Sequence, residues 1–272
     1  MMRTRLRGRT TADAAVQRLC GGSALHMGAW RRAVNAAITR ASAWRGGIAG
    51  ALLAVGCMLT ALTVPGASAQ SAAPGSSDKP IKIVAFGDSL TAGYLLAPNE
   101  AFPVVLGKAL VARGYNVEMV NAGVSGDTTS AGRERINWAV PPDADAVILE
   151  FGGNDALRGL DPAVTRRNLE AIIVALQAQK ADILLAGMLA PRSLGDTYTM
   201  AFDGIFPDLA NRYGLLLYPF FLDKTGMKPK LSLADGLHPN ARGVEAIVGG
   251  ILPKAEELVA RVKARRLAAA KG

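Results

Sequence analysis

Residues 81–94 read IKIVAFGDSLTAGY. The run Ile81–Phe86 is short and mostly apolar, as a strand is when helices cover both faces of a parallel sheet. It stops at Gly87-Asp88-Ser89, and a helix is predicted to begin there. A serine at that point has two readings. Its hydroxyl caps the helix by accepting an orphan backbone N–H, or it stands at the rim of the sheet as a nucleophile. Taken alone, Asp88 and Ser89 read as ordinary turn and cap residues, so the remainder of the chain has to decide.

The same alternation continues downstream. Strands are predicted at Val117–Asn121, Ala146–Phe151, Ile183–Met188 and Leu215–Tyr218. Helical patterns fall at Phe102–Arg113, Thr128–Trp138, Pro162–Lys180, Thr197–Tyr213 and Ala241–Arg266. Alternating β and α elements specify an α/β fold, a three-layer α/β/α sandwich on a flavodoxin-like five-stranded parallel sheet. The basic end after Val262 reads as a solvated helix terminus whose cations complement the helix dipole.

Upstream, the chain is of a different kind. No charge falls between Arg45 and Asp78, and residues 46–64 are almost continuously apolar. Arginines precede this run and Ala67-Ser68-Ala69 follows it, the layout of a secretory signal peptide cut after Ala69. An uncleaved anchor through residues 46–64 is the alternative, because about 20 apolar residues span a bilayer. The expected organisation is a leader over 1–69, a flexible linker over 70–79 and one folded domain over 80–272, with export to the periplasm or medium. Membrane contact is expected only through an uncleaved leader.

The leader explains most of the charge. Nine arginines and one aspartate in residues 1–69 supply eight of the nine net positive charges, leaving about one for residues 70–272. The basic balance is therefore no sign of nucleic-acid binding by the folded part. Cys20 and Cys57 also lie in the leader, so the remainder has no disulfide and no thiol chemistry. His26 goes with them, and His238 is the one imidazole left. No metal or other cofactor is expected, since one histidine with scattered carboxylates makes no ligand cluster.

Ligands of an open parallel sheet bind outside the carboxyl ends of its strands. Four segments lie there: Gly87–Leu90, Asn121–Thr128, Gly152–Asp155 and Asp235–Pro239. Ser89 offers a hydroxyl, together with a backbone N–H at a helix start. Gly126 offers a backbone N–H with no side chain in the way, and Asn154 a carboxamide. These three donors suit an oxyanion hole, where each donor is worth about 10²–10³ in rate. His238 can take the serine proton and return it to the leaving group, and Asp235 can hold its other ring nitrogen. Singly, each is a common turn residue. Four unrelated turns have no reason to supply nucleophile, donors and base together.

The strings FGDSLTAGY, NAGVSGDTT, LEFGGNDALRGLDP and DGLHPN resemble the blocks of the SGNH (GDSL-type) hydrolase superfamily. They are most similar to its bacterial arylesterase and multifunctional acyl-CoA thioesterase–lysophospholipase branch, from about Ile81 to Pro253. The resemblance implies that Ser89, Gly126, Asn154 and His238 are the four name-giving residues, with Asp235 completing a triad. It also implies hydrolysis of aryl or short-to-medium acyl esters, with thioesters and lysophospholipids as further substrates.

Leu95, Leu96, Leu157, Leu160, Leu189, Leu194 and Tyr198 flank these blocks as candidates to hold an acyl chain or to belong to the core. Leu157 and Leu160 sit on the loop 156–162, placed to move over the substrate. Two other functions are open: removal of acetyl groups from carbohydrates, and a non-catalytic flavodoxin-like module holding phosphate at glycine-rich turns. Neither G-x-G-x-x-G nor a P-loop pattern occurs at these turns. Asp88 reads as a brace for the serine turn, and Asp127 and Asp155 as helix-start residues. Glu150 is an acid inside an apolar strand, and if buried it needs a partner the sequence does not name.

Overall fold

The structure is a computed structural model and describes residues 79–225 and 228–271. The leader expected over 1–69 and residues 70–78 of the linker lie outside the described residues. Five strands form one parallel sheet: β1 (Ile81–Gly87), β2 (Val117–Gly123), β3 (Ala146–Glu150), β4 (Asp182–Ala186) and β5 (Leu216–Tyr218), in the order β2-β1-β3-β4-β5. This is the flavodoxin-like order, with its switch point between β1 and β3. All five residues of β3 are buried, and in β1 only Lys82 is partly exposed. Edge strand β2 is more open and presents Glu118 to solvent.

Eight α-helices and three 3₁₀ turns connect the strands among the described residues. They are α1 (Ser89–Ala92), α2 (Phe102–Ala112), α3 (Thr129–Ala139), α4 (Gly153–Leu157), α5 (Pro162–Ala178), α6 (Asp196–Asp203), α7 (Ile205–Tyr213) and α8 (Ala241–Ala269). Helix α2 packs on α8 and β2, and α8 also meets β3, β4 and β5. Helix α5 packs on both α3 and α7, and the three cover the other face. One apolar cluster fills the space between the layers, with Phe86, Phe102, Phe151, Phe202, Phe206 and Phe221 almost wholly buried.

The single helix expected over Thr197–Tyr213 is two. Pro207 cannot donate to the carbonyl of Asp203, and its ring crowds that position. The chain breaks at Gly204 and restarts at Ile205, which puts Pro207 in a first turn, where no intrahelical donor is needed. The basic end of α8 is also less free than expected. Arg265 binds the Asp182 carboxylate at 3.0 Å and the Asp145 carbonyl at 2.8 Å, and Arg266 binds the Asp145 carboxylate at 2.6 Å. These arginines tie the last helix to the amino-terminal edge of the sheet.

Strand register lines up the opposite edge. Gly87 lies beside Gly123 on one side and Glu150 on the other, and Glu150 beside Ala186. The segments carrying Ser89, Gly126 and Asn154 all leave the sheet from this row.

Candidate active site

Asp88 and Ser89 divide the turn after β1 between them. Asp88 is the N-cap of α1, its Oδ1 accepting from the Leu90 N–H at 3.0 Å. The cap is thus filled without the serine, whose Oγ instead lies 2.8 Å from Nε2 of His238. Two glycines allow this geometry. A Cβ on Gly87 would fall on Thr91 Oγ1 and 2.6 Å from Glu150 Oε2, and one on Gly123 would enter the backbone of α1 at Ala92.

His238 arrives on a loop braced at both ends. Its carbonyl accepts from the Leu233 N–H at 2.8 Å, and Ser232 and Pro239 form a bridge. Asn240 caps α8 and donates to the carbonyls of Lys230 and Ser232. Asp235 Oδ2 lies 2.6 Å from His238 Nδ1, and its Oδ1 accepts the N–H groups of Leu237 and His238 at 2.9 and 3.0 Å. Those bonds, led by the His238 backbone N–H and then its ring, draw the Asp235 carboxyl down to about 2. An ionised carboxylate only accepts, so Nδ1 carries the proton, and in a neutral ring Nε2 is left to accept from the Ser89 hydroxyl. The Tyr94 ring lies against the imidazole, its centroid 4.6 Å away at a 42° tilt.

Gly126 sits at φ +88, a left-handed position that L side chains rarely adopt, where an added Cβ would stand 4.0 Å from Arg158 Nη2. Its carbonyl accepts from Arg158 Nη2 at 2.8 Å. Asn154 opens toward the same side, in the first turn of α4. Both hydrogens of its amide are engaged, with Asp88 Oδ2 at 3.1 Å and the Asp127 carbonyl at 2.9 Å. The structure therefore brings together Ser89, His238, Asp235 and Asn154, with Gly126 on the loop that Asn154 touches.

Beside Ser89 opens a cleft of about 440 Å³, lined by Leu157, Met188, Leu189, Phe220 and Leu222 among others. Leu157 and Leu189 stand in its wall, whereas Leu160 does not; the Leu160 carbonyl instead accepts from the Tyr198 hydroxyl at 2.7 Å. Leu95, Leu96, Leu194 and Tyr198 also lie outside that wall.

Several acids have partners that sequence reading did not supply. Glu150 is fully buried, and its Oε2 accepts from the Thr91 hydroxyl at 2.7 Å and faces the Asp88 N–H at 3.4 Å. Its other oxygen has no hydrogen-bond partner. Burial, then the nearby Asp88 charge, pushes Glu150 well above the usual carboxyl range. Burial pushes Asp88 up to about 6. Asp155 is not merely a helix-start residue: fully buried, it accepts from the Thr129 N–H at 2.9 Å and from the Thr129 and Thr165 hydroxyls. Asp127 does not cap α3, since Thr128 does so; its carboxylate pairs with Arg135 at 2.6 Å. Sequence reading passed over Arg135. The signal was its place on the inward stripe of α3 with Thr129, Gly132 and Ile136, where a cation needs a reason.

Comparison with known proteins agrees with this geometry. Residues 85–246 match the GDSL-like Lipase/Acylhydrolase family. An arylesterase of Vibrio mimicus is 36% identical over 159 residues, 58% of this chain and 80% of that protein. The thioesterase 1/protease 1/lysophospholipase L1 of Escherichia coli (strain K12) is 35% identical over 159 residues, 58% of this chain and 75% of its own length. The crystal structure of AlinE4, an SGNH-hydrolase family esterase, superposes with a TM-score of 0.56 at 47% identity, covering 66% of this chain and 96% of that one. With a family match over most of the folded region and relatives all named for ester or thioester cleavage, the chain belongs to the GDSL-like lipase/acylhydrolase family and is a carboxylic ester hydrolase.

Proposed function

We propose that the protein is an exported serine esterase that cleaves aryl and short-to-medium acyl esters through an acyl-enzyme on Ser89. The observation that carries this reading is the unbroken chain Ser89 Oγ–His238 Nε2–His238 Nδ1–Asp235 Oδ2, at 2.8 and 2.6 Å, beside an apolar cleft. Ser89 Oγ attacks the ester carbonyl while Nε2 takes its proton. The carbonyl π pair becomes an oxyanion, met by donors from Ser89, Gly126 and Asn154. Collapse expels the alcohol, which leaves with the proton from Nε2. Water then attacks the acyl-enzyme by the same route, releasing the carboxylic acid and free Ser89. Ionised Asp235 favours the imidazolium that forms in both halves.

Asn154 meets the oxyanion only by releasing one of its two resting bonds, to Asp88 or to the Asp127 carbonyl. Releasing the Asp127 carbonyl is the favourable exchange, because a hydrogen bond to a charged oxygen is about twice as strong as one between neutral groups, whereas the Asp88 bond is already to a carboxyl that ionises at about 6. Protonated His238 cannot accept from Ser89, so the rate falls on acidification.

Away from Asp88, Ser89, Asn154 and Arg192 the cleft wall is apolar, and Phe220 is its one aromatic side chain, which suits an acyl chain better than a sugar. Thioesters and lysophospholipids, suggested by the name of the Escherichia coli relative, present the same acyl-carbonyl group and are proposed as further substrates. Met188 and Leu157 are proposed to set acyl length. Replacing Met188 with Trp narrows the cleft, so in a nitrophenyl ester series the optimum should move toward acetate. An unchanged chain-length profile would remove the cleft from the account. Export rests on the pattern of residues 1–69, and a secreted product beginning at Gln70 is its expected outcome by N-terminal sequencing.

A further inference from the structure

We infer that Arg135 is a positioning residue of the reaction, holding in register the two chain segments that carry Ser89 and Gly126 and, through Asp127, the amide of Asn154. The inference rests on the oxyanion reading of Gly126 and Asn154 given above. Arg135 lies on α3, its side chain only 7% exposed. Its Nε meets Asp127 Oδ2 at 2.6 Å, its Nη1 the Ala122 carbonyl at 2.8 Å and its Nη2 the Gly87 carbonyl at 2.8 Å. The rings of Phe86 and Phe151 flank the guanidinium, 4.5 and 5.7 Å from its carbon.

Each of those contacts leads to the site. Gly87 immediately precedes Asp88-Ser89, and its carbonyl also accepts from the Val124 N–H at 3.1 Å. Ala122 is the penultimate residue of β2, just before the loop that presents Gly126. Asp127 follows Gly126 directly, and its carbonyl accepts from Asn154 Nδ2 at 2.9 Å. One cation thus fixes the exit of β1, the exit of β2 and the peptide that orients the Asn154 amide. Only a guanidinium supplies donors fanned in one plane; an ammonium is a point charge that cannot span three acceptors with the same geometry.

Packing alone gives little reason for this residue. Burying a cation carries a large desolvation cost, and an apolar side chain in place of a buried pair is often neutral or stabilising. At the sheet rim, however, donors misplaced by about 1 Å lower rates by roughly 100-fold. The arrangement makes sense if Arg135 holds the donors where charge develops.

The test uses the full chain, with Arg135→Lys and Arg135→Met beside the parent and Ser89→Ala. Active sites are titrated by the burst from a nitrophenyl ester, and folding is followed by thermal melting. For Arg135→Lys the expectation is a kcat per titrated site lower by about 10- to 100-fold, with KM within about twofold. Affinity for an alkyl boronic acid, which forms a tetrahedral adduct on Ser89, should fall by the same factor, and affinity for the product carboxylate should not. Arg135→Lys decides the question even if Arg135→Met does not fold. Variants with parental kcat, a loss confined to KM, or unchanged boronate affinity would overturn the inference while leaving the serine mechanism intact. Full activity in Ser89→Ala would overturn both.

Discussion

Asp88 and Ser89 are neighbours with different places in α1: Asp88 is the N-cap, and Ser89 is the first residue of the helix. Asp88 takes the Leu90 N–H, which leaves the serine hydroxyl to His238. Asn154 depends on the same aspartate, whose Oδ2 takes one of its amide hydrogens. Asn154→Ala should therefore lower kcat by about 10²–10³ with little change in KM; a loss below about fivefold would place the oxyanion elsewhere. The residues whose meeting was legible in the sequence stand at strand ends or on one short loop, such as Ser89, Asn154 and the Asp235/His238 pair. Glu150, Asp155 and Arg135 were not legible, because their partners lie far along the chain. Thr91 stands 59 residues from Glu150, and Gly87 stands 48 from Arg135. Periodicity marks such residues as inward-facing without saying what they meet.

Among the elements, the strands and long helices follow their apolar patterns closely, and the departures have local causes. Pro207 splits α6 from α7, and the four-residue α1 is too short to show a helical period. The close packing of α1 on β2 was also hidden, since the expected strand stops at Asn121, whereas β2 runs on to Gly123 and brings it against Ala92. A Cβ there would lie 2.7 Å from Ala92 Cα and 2.8 Å from the Thr91 carbonyl carbon, both backbone atoms that cannot rotate aside. Gly123→Ala should lose about 1–3 kcal/mol in denaturant unfolding. Its esterase rate should fall with it, because α1 carries Ser89. An alanine variant as stable and active as the parent would show that α1 shifts freely.

For the whole molecule, charge is arranged differently at the two ends of the sheet. At the amino-terminal edge Arg265 and Arg266 neutralise Asp182 and Asp145 near the surface. At the carboxyl edge two acids are buried under the active site, which makes stability depend on pH. Glu150 is held well above the usual range, and Asp88 up to about 6, by burial. The unfolded chain releases these protons near pH 4, so above it the folded state binds more of them and stability declines as pH rises. Asp235, drawn down to about 2, acts with the opposite sign. It lends stability above about pH 4 that is lost as pH falls toward 2. Glu150→Gln removes one raised carboxyl, so its melting temperature should gain on the parent between about pH 5 and pH 8. Parallel melting curves across that range would mean that Glu150 does not hold its proton.

The central claim is that Ser89, activated by His238, forms the acyl-enzyme. The most direct measurement is hydrolysis of nitrophenyl esters from acetyl to palmitoyl by the parent and by Ser89→Ala, with the parent quenched early for mass spectrometry. The expected result is turnover of the shorter esters, a loss of several orders of magnitude in the variant, and an acyl adduct on the peptide containing Ser89. Equal rates in the two proteins, or an adduct on any other residue, would contradict the account.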